Sequence, residues 1–264
     1  MRRLTTFSCE GETLAASLDD AGGATGVLLV IGGSQTRIGS HRMYERLARA
    51  LAGKGFPCFR YDRRGVGDSG GGDTGFRGSG PDLATAAAAF REESPALTRM
   101  IGFGLCDGAS ALALFGGAAG LDGLILVNPW LVETKEEDSP PAAAIRHHYW
   151  NRLTSHEGWK KILTGSVNWR KLLSGVRKAS ARGRAPLAAD IAEALRASAV
   201  PVHLILADGD ATAIAAEAEL KASVFDGLIA GRETLETDSH TFARPGDEAA
   251  LLAAVERALG RLTS

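Results

Sequence analysis

The chain has 264 residues, 45% hydrophobic and 23% charged, with a formal net charge of −1 at pH 7. This composition argues against a disordered chain and gives no basic surplus that would favour binding to nucleic acid. The three cysteines lack the C-x-x-C spacing, so neither a disulfide framework nor a zinc site is predicted. No signal peptide or bilayer-spanning apolar run is recognised, and we expect a cytoplasmic protein without a metal or organic cofactor.

Predicted strands and helices alternate along most of the chain. An edge hairpin is predicted over residues 5–18, and apolar runs predict buried strands over 26–31, 56–61, 100–104, 123–128, 201–207 and 232–237. Helices are predicted over 41–52, 81–93, 109–116, 213–223 and 246–262. This alternation predicts an α/β fold with a mostly parallel, doubly wound sheet.

One stretch interrupts the alternation. Residues 130–199 contain no comparable strand and are predicted to form a helical cap, inserted between core segments 1–129 and 200–264. The four tryptophans of the chain fall in this stretch: Trp130, Trp150, Trp159 and Trp169. Tryptophan clusters suit pockets for an apolar chain or ring, so Trp130 and Trp150 are predicted substrate contacts. The alternative is that the tryptophans build the cap's own core.

The predicted cap is also strongly basic. Between residues 146 and 184, ten lysines and arginines stand against the single acid Glu157. A basic face beside apolar positions suits peripheral contact with an anionic membrane or a phosphate-bearing acyl carrier. An ordinary solvated face is the other interpretation.

The sequence Gly104-Leu105-Cys106-Asp107-Gly108 lies between a predicted strand and a predicted helix. G-x-C-x-G is the spacing of a nucleophile elbow, because a sharp turn with a side chain at its tip leaves no room for bulky residues two positions away. The N-terminus of the following helix favours a negatively charged thiolate. Cys106 is therefore the predicted nucleophile, and a cysteine buried beneath a helix is the alternative.

Two loops that follow later strands offer partners for Cys106. Asp208 and Asp210 follow the strand over 201–207, and His240 follows the strand over 232–237. The carboxyl ends of parallel strands share one edge of a sheet, so these side chains are expected near Cys106. His240 would move the proton, and an aspartate would hold its ring. Asp210 is the predicted acid; Asp208 is the alternative, and otherwise caps the following turn.

Several motifs carry a resemblance. Asp62-Arg63-Arg64-Gly65-Val66-Gly67-Asp68-Ser69 matches a D-x-R-G-x-G-x-S turn, and the segment ending at Asp210 resembles a strand closed by G-x-x-D, with Ala207 where glycine is usual. With the elbow and the order nucleophile, acid, histidine, the chain resembles α/β-hydrolases of the acylglycerol-lipase and serine-aminopeptidase-like type. The resemblance implies an α/β-hydrolase fold and selects Asp210 over Asp208.

A narrower resemblance comes from three segments. These are Gly32-Gly33-Ser34-Gln35-Thr36-Arg37 with Gly39-Ser40-His41-Arg42, the elbow, and Ser239-His240-Thr241-Phe242. They are similar to the exosortase A system-associated hydrolase 1 family, which implies a link to bacterial exopolysaccharide and protein-sorting systems.

An oxyanion hole is predicted beside the elbow. The backbone N–H of Asp107 is one predicted donor, because it begins the helix after the nucleophile. Ile31-Gly32-Gly33 lacks the histidine of the common H-G motif, so the second donor is assigned to the backbone of either Ser34 or Gln35. Arg37 is a predicted contact for a substrate carboxylate or phosphate.

These observations predict a hydrolase that cleaves an ester or thioester through an acyl-cysteine intermediate, with a small-molecule acyl substrate. Two alternatives stay open. An acyltransferase would pass the acyl group to a glycan hydroxyl or another acceptor, and a catalytically silent binding or scaffold protein would keep the fold without the chemistry.

Overall fold

A computed structural model describes residues 1–132 and 186–263. Within these ranges the strands are β1 (Arg2–Cys9), β2 (Glu12–Asp19), β3 (Thr25–Val30), β4 (Cys58–Tyr61), β5 (Arg99–Leu105), β6 (Gly123–Val127), β7 (Val202–Ala207) and β8 (Gly231–Leu235). The helices are α1 (Met43–Ala52), α2 (Gly80–Glu93), α3 (Asp107–Phe115), α4 (Pro186–Ser198), α5 (Ala211–Leu220) and α6 (Asp247–Thr263). Short 3-10 turns occupy Ser40–Arg42, Phe76–Gly78 and Ser223–Phe225.

The described strands form one sheet in the order β1-β2-β4-β3-β5-β6-β7-β8. The pairs β1–β2 and β2–β4 are antiparallel, and every other neighbouring pair is parallel. The sheet is the predicted α/β-hydrolase fold, and the predicted hairpin over 5–18 is confirmed as the longer pair β1–β2. Because the central strands are parallel, the loops after β3, β5, β6, β7 and β8 leave the sheet at one edge.

Helices cover both faces of the sheet. On one face α1 and α6 pack against alternate residues of the central strands, among them Phe103, Val127 and Ile205. On the other face Leu112 of α3 lies against Gly102, and Phe90 of α2 stacks on Phe59 with ring centroids 5.3 Å apart. This burial on both faces explains why β3, β5 and β6 read as continuous apolar runs rather than as alternating ones.

By the clustering of its contacts the chain divides into two compact units, Met1–Leu131 with Asp190–Ser264, and Val132–Ala189. The cap predicted over 130–199 stays a prediction, because residues 133–185 lie outside the described part of the chain. No helix in residues 1–132 or 186–263 is long and apolar enough to cross a bilayer.

Candidate active site

Cys106 lies at the tip of a sharp turn between β5 and α3. Its backbone has φ 59° and ψ −126°, a conformation that L-residues rarely adopt and that is typical of strained functional turns. Its N–H donates to the carbonyl of Val127 on β6, and its carbonyl accepts the N–H groups of Ser110 and Trp130. These bonds fix the turn, and the Cys106 side chain is half-buried.

Both glycines of G-x-C-x-G are needed for the close approach of backbone to backbone. A Cβ on Gly104 would lie 2.7 Å from the carbonyl carbon of Gly108, and a Cβ on Gly108 would lie 2.5 Å from the carbonyl oxygen of Val30. Neither backbone neighbour can move aside as a side-chain end could. The pattern that identified the turn in the sequence is therefore explained by sterics in the structure.

His240 and Asp210 lie together at the carboxyl edge of the sheet. Nδ1 of His240 is 3.0 Å from Oδ2 of Asp210, and the two side chains are 22% and 8% exposed. Cys106 also lies close enough to act on the His240 ring, because it is among the groups that raise the pKa of this histidine. Because Nδ1 faces the carboxylate, Nε2 is the ring nitrogen that remains for the sulfur. The structure thus brings together the three predicted catalytic side chains, which are supplied by the loops after β5, β7 and β8.

Asp208 has a different position from Asp210. Its Oδ1 accepts the backbone N–H of Thr237 at 3.1 Å and ties the end of β7 to the chain beyond β8. The capping role that the sequence assigned to Asp208 is wrong, because Asp210 is the N-cap of α5 and accepts the N–H of Ala213 at 3.0 Å. The same carboxylate oxygen therefore serves both the helix cap and His240.

The surroundings of His240 favour its protonated form. Burial by itself lowers the pKa of an imidazole, but the hydrogen bonds and negative charges of Asp210 and Cys106 outweigh it and raise the pKa of His240 to about 10. The site therefore stabilises the imidazolium form of His240, which lies between a carboxylate and a sulfur.

The loop that carries His240 is anchored on both sides of the residue. Before it, the hydroxyl of Thr237 donates to Asp247 at the start of α6 and accepts the N–H of Ser239. After it, Phe242 is buried in the core with a φ of 56°, and its N–H donates to the carbonyl of Ser239. These contacts restrict the position of the ring.

The predicted oxyanion residues lie on two segments, the start of α3 and the loop after β3. Asp107 is the first residue of α3, directly after Cys106, while Ser34 is exposed in the loop after β3. The side-chain Oε1 of Gln35 accepts the N–H of Ser40 at 2.7 Å. Which of the two supplies the second donor stays open, and both assignments stay predictions.

Two supports of this region were missed by the sequence analysis. The carboxylate of Asp107 accepts the N–H of Gly33 at 2.6 Å and so ties the elbow to the loop after β3. The buried hydroxyl of Tyr44 accepts the N–H of Leu105 at 3.1 Å and donates to the carbonyl of Val30 at 3.2 Å. Tyr44 lies in the helix predicted over 41–52, where nothing in the sequence indicates the bonds of its hydroxyl, and the acid after the cysteine gave no signal for its side chain.

Arg37 lies in a network of protein contacts. Its Nη1 pairs with Asp62 and with Asp68, and its Nε donates to Ser17 at 3.1 Å. Asp62 is fully buried in the D-x-R-G-x-G-x-S turn and also accepts the backbone N–H of Arg37. These bonds give Arg37 a structural role in fastening the loop after β3, and its contact with substrate stays a prediction.

Trp130 follows β6 and adjoins the elbow through its backbone. Its carbonyl accepts the hydroxyl of Ser110 at 2.6 Å, and the residue is 38% exposed. Trp150, like the basic residues over 146–184, lies outside the described residues. In residues 1–132 and 186–263, no three His, Cys, Asp or Glu side chains form a group able to hold a metal ion.

Comparison with known proteins places the chain among hydrolases. Residues 25–167 match the family described as serine aminopeptidase, S33. No curated protein matches the sequence. An esterase of Pyrococcus furiosus is similar in structure, with a TM-score of 0.67 and 14% identity over 100% of this chain and 91% of the esterase.

Two further solved structures are similar. The α/β-hydrolase GrgF from Penicillium sp. sh18 has a TM-score of 0.67 and 16% identity, over 99% of this chain and 98% of its own. The thioesterase domain from the curacin biosynthetic pathway has a TM-score of 0.58 and 15% identity, over 97% of this chain and 99% of its own. At these identities the likeness establishes the fold alone.

Proposed function

The chain belongs to the serine aminopeptidase S33 family of α/β-hydrolases, and from this premise we propose that it cleaves carboxylic esters or thioesters through a Cys106–His240–Asp210 triad. The hydrolase class follows from the family. The nucleophile, the triad and the acyl-cysteine intermediate are the proposal.

The observation that carries the proposal is the convergence of the three side chains: Asp210 hydrogen-bonds His240, and Cys106 is close enough to raise the pKa of its ring. His240 beside Cys106 can take the proton of the thiol, and the thiolate is the reactive form of cysteine. His240 then acts first as the base that activates the sulfur and afterwards as the acid that protonates the leaving group.

In the first half of the reaction the Cys106 thiolate attacks the carbonyl carbon of the substrate. A C–S bond forms, and the electron pair of the carbonyl moves to its oxygen, where the N–H of Asp107 and a donor from Ser34 or Gln35 would hold the negative charge. The intermediate collapses as the bond to the leaving group breaks. Nε2 of His240 gives its proton to that group, which leaves as an alcohol or thiol, with an acyl-cysteine and a neutral imidazole left behind.

In the second half water resolves the acyl-cysteine. Neutral His240 takes a proton from the water as its oxygen attacks the thioester carbonyl, and collapse of this intermediate expels the Cys106 thiolate. The products are the carboxylic acid and the free enzyme, in which Cys106 and His240 again share the proton. Throughout the cycle Asp210 keeps Nδ1 protonated and the ring in one orientation.

The nucleophile limits the substrates. A thiolate leaves a tetrahedral intermediate more easily than an alkoxide does, so an intermediate formed from an amide would return to starting materials rather than expel an amine. Esters and thioesters have better leaving groups and proceed to the acyl-enzyme. We therefore place esters and thioesters ahead of peptides as substrates, although the family is described as a serine aminopeptidase family.

A finer assignment is also part of the proposal. The segments around Ser34 and His41, the elbow and the segment around His240 support membership of the exosortase A system-associated hydrolase 1 family and thus a role beside exopolysaccharide production. We further propose a cytoplasmic location, with the basic stretch over 146–184 as the contact for a phosphate-bearing acyl carrier or an anionic membrane.

Mass spectrometry of the intact protein after brief exposure to an activated acyl ester tests the triad. The wild type is expected to gain one acyl group on Cys106, Cys106→Ala to gain none, and His240→Ala to gain it far more slowly. The buried Cys9 and Cys58 are internal controls for nonspecific labelling. Full turnover by Cys106→Ala would falsify the proposal.

The same experiment separates the alternatives. Loss of the acyl group to water indicates a hydrolase, whereas faster loss in the presence of a glycan, with an acylated glycan as product, indicates an acyltransferase. A protein that folds normally and gains no acyl group from any ester or thioester is the silent scaffold.

A further inference from the structure

His41 contacts the backbone directly beside His240. Its Nε2 lies 2.8 Å from the carbonyl oxygen of Thr241, although the two residues are 200 positions apart in sequence. His41 belongs to the 3-10 turn that precedes α1, and Thr241 belongs to the loop between β8 and α6. This contact joins the loop after β3 to the loop that carries His240.

The contact between His41 and Thr241 holds the second of the two polar groups of one peptide unit. The Thr241–Phe242 peptide is held at its N–H, which donates to the carbonyl of Ser239 at 3.1 Å, and at its carbonyl, which His41 holds. Phe242 then enters the core with a left-handed backbone. A peptide plane held at both ends cannot rotate, and it begins one residue after His240.

The ring of His41 is itself oriented by its neighbours. Nη2 of Arg46 lies 3.1 Å from Nδ1 of His41, and Nε of Arg46 forms a 3.0 Å ion pair with Glu248 on α6. Because arginine is only a donor, Nδ1 must accept, and the proton of the neutral ring is on Nε2. This is the tautomer that donates to the Thr241 carbonyl.

The backbone at His41 adopts a costly conformation. His41 has φ 40° and ψ 30°, and Arg42 follows at φ 66° and ψ 24°, both in the left-handed region that favours glycine. Strain of this kind persists where surrounding contacts fix it, and it clusters at functional sites. Here the left-handed residue carries the ring whose Nε2 lies 2.8 Å from the carbonyl oxygen of Thr241.

We propose that His41 is a positioning residue for the proposed catalytic His240: through the Thr241 carbonyl it holds the imidazole in line between Asp210 and Cys106. This inference rests on the proposed function for its effect on catalysis. His41 touches neither substrate nor the reacting atoms in this role, and it acts through the backbone of the His240 loop.

The test uses three substitutions in the full chain. His41→Ala removes the donor. His41→Gln keeps an amide N–H at the reach of Nε2. His41→Asn accepts the left-handed backbone readily but places its amide at the reach of Nδ1, too short for Thr241. If His41 contributed only to stability, His41→Gln would have no advantage over His41→Asn. If His41 positions the loop, His41→Gln should be closer to wild type than His41→Asn.

Two measurements are made on each variant. Hydrogen exchange of the segment 239–243 is expected to speed up in His41→Ala and His41→Asn and to stay at the wild-type rate in His41→Gln. For an activated ester, kcat is expected to fall about 3- to 10-fold in Ala and Asn, with KM within twofold, and to recover within twofold in Gln. Wild-type exchange and kcat in His41→Ala would overturn the proposal, as would a change in KM alone, which would instead indicate substrate contact.

Failure of the proposed function is detected separately. If wild-type protein forms no acyl-cysteine, the proposed chemistry is wrong, whatever the His41 variants do. The exchange rates need no substrate, so equal rates in wild type and His41→Ala reject the positioning role even then.

Discussion

One carboxylate oxygen joins the proposed catalytic histidine to the frame of the protein: Oδ2 of Asp210 lies 3.0 Å from Nδ1 of His240 and also 3.0 Å from the N–H of Ala213 at the start of α5. Because the acid caps a helix, its side chain has little freedom to turn away from the ring. The position of His240 is therefore tied to the N-terminus of α5 as well as to the loop after β8.

The substitution Asp210→Asn separates the two roles of this carboxylate, as the N-cap of α5 and as the charged partner of His240. Asparagine is about as good an N-cap as aspartate, so the helix cap is retained. The negative charge beside His240 is lost, so the imidazolium that forms during the reaction is less well stabilised. We expect kcat to fall about 10²- to 10³-fold, measured by ester hydrolysis alongside urea unfolding.

Asp208→Asn is the matched control. Its Oδ1 remains available to accept the N–H of Thr237, and His240 lies next to Asp210 rather than Asp208, so kcat should stay within about threefold of wild type. If Asp208→Asn instead proves the more damaging change, Asp208 is the acid.

The protonation of His240 gives a second prediction. Asp210 and Cys106 together raise the pKa of His240 to about 10, so the ring loses its proton only as the pH rises through that value. In Cys106→Ala one of these contributions is gone while burial still lowers the pKa, and the titration must move to lower pH. The measurement is an NMR titration of the His240 ring, assigned by comparison with His240→Gln.

A rate effect accompanies this titration. Acylation by alkyl esters, whose leaving groups need a proton, should slow as the pH rises through about 10, whereas a nitrophenyl ester should be less affected. Cys58→Ala is the control, because Cys58 is fully buried on β4, whereas the pKa of His240 is raised by Asp210 and Cys106. An unchanged His240 titration in Cys106→Ala would show that the sulfur and the ring do not interact.

Much of this arrangement could be predicted from sequence, for a physical reason. Strands buried on both faces are continuous apolar runs, the elbow demands glycine two residues either side of Cys106, and parallel strands bring their carboxyl ends to one edge. These rules are local or topological, so a single sequence carries them. They suffice for the sheet and for the convergence of Cys106, Asp210 and His240.

The supports of the site could not be predicted in this way. The contacts of Tyr44 with Leu105 and of His41 with Thr241 join residues 61 and 200 positions apart. No periodicity or motif encodes such side chain-to-backbone bonds, which depend on where α1 begins relative to the sheet. The role of Arg37 could not be predicted either, because nothing in the sequence of the loop after β3 indicates its ion pair with the buried Asp62.

The tight packing of the elbow gives a third prediction. In Gly104→Ala the new Cβ would lie 2.7 Å from backbone atoms of Gly108, so β5 and α3 must separate, and we expect unfolding in urea to cost about 1–3 kcal/mol less. Gly260→Ala in α6 is the control, because nothing lies within 4 Å of its Cβ. That change should stabilise the protein by up to about 1 kcal/mol. Equal stabilities for the two variants would contradict the steric account of the motif.

The last prediction concerns the hydroxyl of Tyr44. The residue is 2% exposed, and its hydroxyl bridges the N–H of Leu105, directly before Cys106, and the carbonyl of Val30, directly before the loop with the predicted oxyanion donors. Tyr44→Phe leaves both backbone groups buried without this partner. Each such loss costs about 1–3 kcal/mol, and the two ends of the site become free to move apart.

We therefore expect Tyr44→Phe to lower the free energy of unfolding by about 1–3 kcal/mol and kcat by about tenfold, with little change in KM, because the hydroxyl supports the elbow rather than the substrate. Tyr61→Phe is the comparison, since Tyr61 is also buried and its hydroxyl forms no hydrogen bond within residues 1–132 and 186–263. It should leave kcat unchanged. Equal losses of kcat in the two variants would mean that removal of any buried tyrosine hydroxyl has this effect. The bridge between Leu105 and Val30 would then not set the geometry of Cys106.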